Sequence, residues 1–116
     1  MAILILDDDL GFAMWLGQVL TEAGMTAFPA STGAEALSLI DAPGFPPIEL
    51  VIANFDLNAS RNVIEAVAAR GGKFRIIALG NLGTAGRRKI HTRIERPGGK
   101  AAPSPSHYLN LIRTIL

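Results

Sequence analysis

The sequence predicts one doubly wound α/β domain, and two observations carry this prediction. Three short, continuous apolar runs rich in Ile, Leu and Val lie at residues 2–6, 50–53 and 76–79. Such runs are typical of strands buried on both faces of a parallel sheet, which needs helices on both sides. Between the runs, apolar residues recur with helical spacing, so strands and helices alternate along the chain.

Length and composition agree with a single core, because the chain has 116 residues and 49% of them are apolar. This apolar content excludes intrinsic disorder. No apolar run approaches the roughly 20 residues of a membrane span, and the first residues lack the basic flank and cleavage site of a signal peptide. The absence of cysteine excludes disulfides, thiolate metal sites and thiol nucleophiles, so we expect a cytoplasmic protein.

The first half of the chain is predicted to form two strands and two helices. The helix after the first strand has an apolar face formed by Phe12, Leu16, Val19, Leu20 and Ala23. Gly24 is well placed to end this helix, and a short second strand follows at residues 25–30. Thr32 and Glu35 form a capping-box pattern for a second helix that runs through Ile40.

The second half continues this alternation after the third strand at 50–53. A third helix is predicted from about Asn62 to Arg70, followed by the fourth strand, a short helix within 81–93 and a brief fifth strand at 92–95. Ser104 as cap and Pro105 in the first turn open a final helix. The apolar face of that helix comprises Tyr108, Leu109, Leu111, Ile112 and Ile115.

Charge is divided unevenly between the two halves. Eight acidic residues and no Lys or Arg precede Arg61, whereas all eleven basic residues lie from Arg61 onward with only Glu65 and Glu95 against them. By this count the halves carry −8 and +9 (11 − 2). These charges either attract one another within the folded chain or leave a basic surface for an acidic partner.

Polar residues collect at the ends of the first and third predicted strands. Asp7, Asp8 and Asp9 follow the first strand, and Asn54 and Asp56 follow the third. In open parallel sheets the functional crevice lies beyond the carboxyl ends of the strands. Carboxylates gathered there repel one another unless a cation or basic side chain intervenes, so they predict a hard-metal site or a hub of salt bridges. Capping of the following helices is the other interpretation, and Asp9 suits it best.

The sequence resembles the receiver domain of bacterial two-component response regulators over essentially its whole length. The resemblance rests on LILDDD at the start, TGAEALSLI in the second helix, ELVIANFDL in the third strand, RIIALG in the fourth and ERP after the fifth. It implies a flavodoxin-like, five-stranded parallel sheet of order 2-1-3-4-5. In that family an acid pair and an aspartate after the third strand hold magnesium, and this aspartate accepts a phosphoryl group from a histidine kinase.

Carried over residue by residue, the resemblance implies a site with several replacements. The acid pair falls on Asp7 and Asp8, and the phosphoacceptor position falls on Asn54, whose amide has no anionic oxygen to attack phosphorus. The hydroxyl position falls on Gly80, which has no side chain to contact a phosphoryl group. The lysine position falls on Arg96, which keeps the charge in a longer, planar group.

Two more family positions bear on metal binding and signalling. The aromatic switch position falls on Arg93, and the position of Asp56 supplies a backbone carbonyl to the metal in the family. Any magnesium site would be vestigial and weak, and its residues would be Asp7, Asp8, Asn54 and Asp56. No other cofactor is expected. We expect Arg96 to pair with Asp7 or Asp8 in the space that a metal would use.

These features predict a degenerate receiver, or pseudo-receiver, that signals without phosphorylation by binding a protein. The expected interaction face is the basic segment, defined as residues 87–100, with the cations Arg87, Arg88, Lys89, Arg93, Arg96 and Lys100. Its partner would be a kinase, an effector or a second copy. Nucleic acid is not expected, since the pI is about 8.2 and no aromatic residues interleave with the basic run. No membrane contact, catalytic residue or enzymatic activity is expected.

Two other functions stay open. One is a phosphorylatable receiver that uses Asp56, or whose native residue at position 54 is aspartate; a replacement there would not account for Gly80 or Arg93. The other is a doubly wound domain that binds a small ligand in the same crevice. The last helix reaches Leu116 without a stop signal, so we also expect that an output domain could follow it.

Overall fold

The described residues form nine helices and strands, which alternate up to the fourth strand as expected of a doubly wound domain. The structure is a computed structural model that describes residues 2–79, 92–94 and 105–116. The strands are β1 (Ala2–Leu6), β2 (Ala27–Ala30), β3 (Ile48–Asn54), β4 (Arg75–Leu79) and β5 (Thr92–Ile94). The helices are α1 (Leu10–Glu22), α2 (Gly33–Asp41), α3 (Asn58–Ala69) and α4 (Pro105–Ile115).

The strands form one parallel sheet in which β1 and β3 are central neighbours. The order β2-β1-β3-β4 confirms the predicted order of the first four strands, and residues 92–94 pair in parallel with β4. Because all the strands run the same way, their carboxyl ends lie along one edge. The register pairs Leu6 with Ala53, so the residues that follow these two positions emerge side by side.

Two apolar cores cover the two faces of the sheet, which confirms the prediction of helices on both sides. Successive residues of a strand point to opposite faces, so Leu4 and Leu6 join one core and Ile3 and Ile5 join the other. The first core is closed by apolar residues of α2 and α3, and the second by those of α1 and α4. All five residues of β1 are buried, which is why its sequence is continuously apolar.

The predicted caps are observed at two helices. The Asp9 side chain accepts a hydrogen bond from the Phe12 N–H at 3.0 Å and caps α1, and Thr32 Oγ1 accepts from the Glu35 N–H at 3.1 Å and caps α2. The Glu35 carboxylate accepts from the Ser31 hydroxyl at 2.7 Å, so this capping pattern includes the residue before Thr32. Gly24 follows α1 with φ of 87°, a left-handed conformation that favours glycine.

Helix α3 is the element whose start the sequence prediction placed wrongly. It begins at Asn58, four residues before the predicted Asn62, because its first turn is fixed by tertiary contacts rather than by a local apolar pattern. Ser60 is buried and donates its hydroxyl to the Asn54 carbonyl at 2.6 Å. Ala59 packs against α2 at Gly33.

Helix α4 is confirmed in position and apolar face. It begins at Pro105, and Tyr108 and Ile112 are fully buried while Leu109, Leu111 and Ile115 are partly buried. The predicted cap Ser104 and the predicted helix within 81–93 lie outside the described residues, apart from the strand residues 92 and 93. In the described part of the chain, no helix has the length and apolar character needed to span a bilayer.

Candidate functional site

Asp7 and Asn54 lie side by side at the carboxyl edge of the sheet. Asp7 follows β1, Asn54 ends β3, and these strands pair up to Leu6 and Ala53. The two polar side chains are 0% and 1% exposed. The sequence prediction that these two strand ends meet in one crevice is therefore correct.

The Asn54 amide is held from both ends. Its Nδ2 donates to Asp7 Oδ1 at 3.4 Å, and its Oδ1 accepts from the Asp56 N–H at 2.9 Å. The Asn54 carbonyl accepts from the Ser60 hydroxyl, which ties the end of β3 to the first turn of α3. A donor atom therefore faces the Asp7 carboxylate, whereas the amide oxygen is occupied by the turn that follows β3.

The buried Asp7 carboxylate is stabilised by donors from its own loop and from β3. Asp7 Oδ1 accepts from the Asp9 N–H at 3.0 Å in addition to the Asn54 amide. The Asp7 N–H donates to the Ala30 carbonyl at 3.1 Å, which fixes this residue against the end of β2. Hydrogen bonds of this kind offset the cost of removing a carboxylate from water.

The other candidate acids lie at the rim of the crevice. Asp8, Asp9 and Asp56 are exposed, and Asp9 serves as the cap of α1. Within residues 2–79 and 105–116 no three acidic or histidine side chains come together as a metal site requires. The four residues predicted for magnesium also fit it poorly, because the nitrogen rather than the oxygen of Asn54 faces Asp7, and magnesium takes oxygen ligands.

Tyr108, which the sequence analysis placed only in an apolar face, lies in the core between α1 and α4. Its ring lies in the core beneath α1, and its side chain is 0% exposed. Burial, and then the negative charge of Asp7, raise the pKa of Tyr108 to about 12. The sequence did contain a signal, which is a tyrosine within an otherwise apolar helix face. A tyrosine there buries a hydroxyl, and a buried hydroxyl is normally placed near a polar group.

Several predicted site residues lie outside the part of the chain that the structure describes. These are Gly80, Arg96, Arg87, Arg88 and Lys89, while Arg93 is described only through its backbone in β5. The expected pairing of Arg96 with Asp7 or Asp8 therefore stays a prediction.

No protein-family model and no curated protein matches this sequence. Solved structures of low sequence identity do match. CheY4 of Vibrio cholerae aligns with a TM-score of 0.73 and 18% identity, covering 99% of this chain and 98% of that chain. A CheY-like receiver domain protein from Methanospirillum hungatei aligns with a TM-score of 0.71 and 21% identity, covering 98% and 91%.

A third match involves a protein complex. It is a chain of the R. sphaeroides structure of the phosphorylated CheA3 P1 domain in complex with CheY6, with a TM-score of 0.63 and 18% identity. The alignment covers 98% of this chain and 94% of that chain. Together these matches show that the chain has the fold seen in response regulator receiver domains.

Proposed function

We propose that this chain is a receiver-like module of two-component signalling that works without phosphorylation of its crevice and acts by binding a protein. The fold, shared with CheY-like receiver domains across nearly the whole chain, supports the receiver part of the proposal. The single observation that carries the rest is Asn54, buried at the end of β3 with its amide nitrogen toward Asp7. The sequence resemblance assigns this position to the phosphoacceptor of receiver domains.

The chemistry of an amide explains why phosphoryl transfer stops at this position. A carboxylate oxygen attacks phosphorus with a full negative charge, whereas the amide oxygen is neutral and the amide nitrogen is a donor without a lone pair to offer. In this crevice the Asn54 oxygen also accepts the Asp56 N–H. At position 54 the site therefore offers incoming phosphorus a hydrogen-bond donor and no anionic nucleophile.

The side chains of the crevice also need no cation to offset repulsion between buried charges. Asn54 presents one negative charge fewer than an aspartate would, and its N–H group interacts favourably with the Asp7 carboxylate. Weak binding of magnesium at the rim is the most that we propose. The module is proposed to work in the cytoplasm, in keeping with a chain that contains no cysteine.

For the partner we propose a protein with an acidic surface that binds the basic segment. That segment carries six cations opposed by Glu95 alone, whereas the described crevice carries acidic groups. The structural neighbour from R. sphaeroides is seen in complex with a CheA3 P1 domain, which supports a protein partner for this fold.

Intact-mass analysis after incubation with acetyl phosphate and magnesium tests the loss of phosphorylation. The unmodified chain should gain no phosphoryl mass, and the Asn54→Asp variant should gain one group, because it restores a carboxylate at the end of β3. The matched control is Asn62→Asp, which places the same new carboxylate on the exposed face of α3 and should gain none. Phosphorylation of the unmodified chain would contradict the proposal.

Asp56 is the one second candidate that a specific observation favours, since it is an exposed carboxylate two residues beyond Asn54 in the same turn. If it served as a displaced acceptor, the unmodified chain would gain phosphoryl mass and Asp56→Asn would lose it. We expect neither change, because the turn fixes the Asp56 N–H, and not its side chain, toward the crevice.

A further inference from the structure

Three aromatic rings connect α4 to the first turns of α1. The Tyr108 ring lies 5.8 Å from the Phe12 ring and 5.7 Å from the Trp15 ring, and the last two are 6.1 Å apart. Tyr108 is fully buried in the core that α1 and α4 share. We call these residues the aromatic trio. Because the trio is part of a close-packed core, a displacement of the start of α1 would displace the side chains of α4 that pack against it.

The start of α1 is in turn attached to the crevice by two hydrogen bonds. Asp7 Oδ1 accepts from the Asp9 N–H at 3.0 Å, and the Asp9 side chain accepts from the Phe12 N–H at 3.0 Å. Asp9 is thus hydrogen-bonded both to the buried carboxylate of Asp7 and to the backbone N–H of Phe12, whose ring belongs to the trio. The negative charge of Asp7 also reaches Tyr108, since it contributes to the raised pKa of that phenol.

We propose that the crevice and α4 are coupled through Asp7, the Asp9 cap and the aromatic trio, so that a positive charge brought to Asp7 changes how α4 packs on α1. The coupling goes beyond the proposed function, because it holds whether or not the crevice accepts a phosphoryl group. Its output is the packing of the C-terminal helix α4 against α1.

The physical basis is competition for one carboxylate oxygen. Asp7 Oδ1 accepts from both Asp9 and Asn54, and an approaching cation or basic side chain would draw the carboxylate away from these donors. The Asp9 N–H then loses its acceptor, and the first turn of α1 shifts with its cap. A close-packed core transmits such a shift to Tyr108 instead of absorbing it.

Amide hydrogen exchange on a pair of matched cap variants tests the path. Asp9→Ala removes the α1 cap, and Thr32→Ala removes the equivalent cap of α2, which lies on the other face of the sheet away from α4. Both residues are exposed and each variant removes a side-chain cap. The central strands serve as the internal reference for global stability.

We expect Asp9→Ala to speed exchange of the α4 amides at 109–113 by at least about twofold relative to Thr32→Ala, and to shift the emission of Trp15. Equal effects of the two variants on α4 would overturn the proposal, because they would show that any loss of stability loosens this helix.

A second pair of variants tests whether the packing of α4 depends on the charge of Asp7. Asp7→Asn removes the charge and keeps an oxygen near the Asp9 N–H, while Asp56→Asn removes a charge from an exposed carboxylate at the rim, in the turn that follows β3. Of these two variants, Asp7→Asn alone should change the α4 exchange rates and the Trp15 emission. Unchanged α4 exchange in a folded Asp7→Asn protein would contradict the proposal. If this variant does not fold, the comparison of Asp9→Ala with Thr32→Ala is the test.

Discussion

At the scale of single residues, the crevice is organised by the Asn54 amide. One end of this group donates to Asp7 and the other accepts from Asp56, so neither aspartate nor leucine could make both contacts. A buried carboxylate next to a buried amide is stable without a metal, whereas two buried carboxylates at this distance repel each other.

Replacing this amide by a carboxylate should therefore destabilise the protein unless a cation is present. We expect Asn54→Asp to lower the free energy of unfolding by about 1–3 kcal/mol at neutral pH, since a charged oxygen replaces the donor 3.4 Å from Asp7 Oδ1. Urea unfolding with and without magnesium measures this loss, and magnesium should reverse it.

The charge-matched control for this substitution is Asn62→Asp, on the exposed face of α3. Its effect should stay within about 0.5 kcal/mol, with no response to magnesium. An Asn54→Asp protein as stable as the unmodified chain in the absence of magnesium would show that the crevice is already open to a second charge.

Tyr108 gives a pH prediction at the same scale. It is the only tyrosine in the chain, and its pKa is raised to about 12 by burial and by the charge of Asp7. Absorbance of the phenolate should therefore appear about two pH units later in the folded protein than in the urea-unfolded chain, which titrates near its ordinary value of about 10.

The sign for stability follows from which state releases the proton first. Above pH 10 the unfolded chain is deprotonated while folded Tyr108 keeps its proton, so the stability that this group contributes is present below pH 10 and is lost as the pH rises toward 12. Tyr108→Phe should flatten the decline of the unfolding free energy in that window. A folded-state transition near pH 10 would contradict the burial of the phenol.

At the scale of elements, α2 and α3 approach each other closely at Gly33. A Cβ placed on Gly33 would lie 2.6 Å from the Ala59 Cβ, well inside van der Waals contact. Glycine at the first position of α2 is therefore what lets the start of α3 pack beside it.

Gly33→Ala should lower the free energy of unfolding by about 1–3 kcal/mol, because the helices must separate to admit one methyl group. Gly17→Ala is the matched control: the new Cβ in α1 would lie 3.6 Å from Pro29, an ordinary contact, and alanine favours a helix by about 0.5–1 kcal/mol. Thermal or urea unfolding distinguishes the two. Equal effects would show that α2 and α3 can move apart at no cost.

The elements also show what could be predicted from the sequence. Strands β1, β3 and β4 were recognisable because burial on both faces leaves a continuous apolar run, and Asp9 and Thr32 were recognisable caps because capping is local. The start of α3 was not, since it depends on the fit of Ala59 against Gly33, which is distant in sequence. The contact of Tyr108 with Phe12 could not be predicted for the same reason, because it joins α4 to α1 across the length of the chain.

At the scale of the whole molecule, the two halves of the chain differ in charge and in their place in the fold. The acidic first half forms the centre of the sheet and the crevice, and the cations lie in the second half. A net charge of +1 thus conceals a strong separation of charge along the sequence.

This separation predicts salt-sensitive binding of acidic polymers. Poly-glutamate should bind the chain at low salt and lose affinity as salt is raised, because exposed charges are screened over about 10 Å at 0.1 M. Replacing Arg87, Arg88 and Lys89 by alanine should weaken this binding several-fold. Replacing Arg61, Lys73 and Arg75 removes the same charge from exposed positions in the described structure and should weaken it less. Equal losses would mean that only net charge matters.

The chain has one tryptophan and one tyrosine, and the aromatic trio places their rings 5.7 Å apart. At this separation the phenol, when excited by light, passes its energy to the indole far faster than it emits. The folded protein should therefore show no tyrosine fluorescence, although it contains a tyrosine. Full detachment of α4 from α1, which carries the two rings far apart, lets the phenol emit, so the protein carries its own optical reporter of helix undocking.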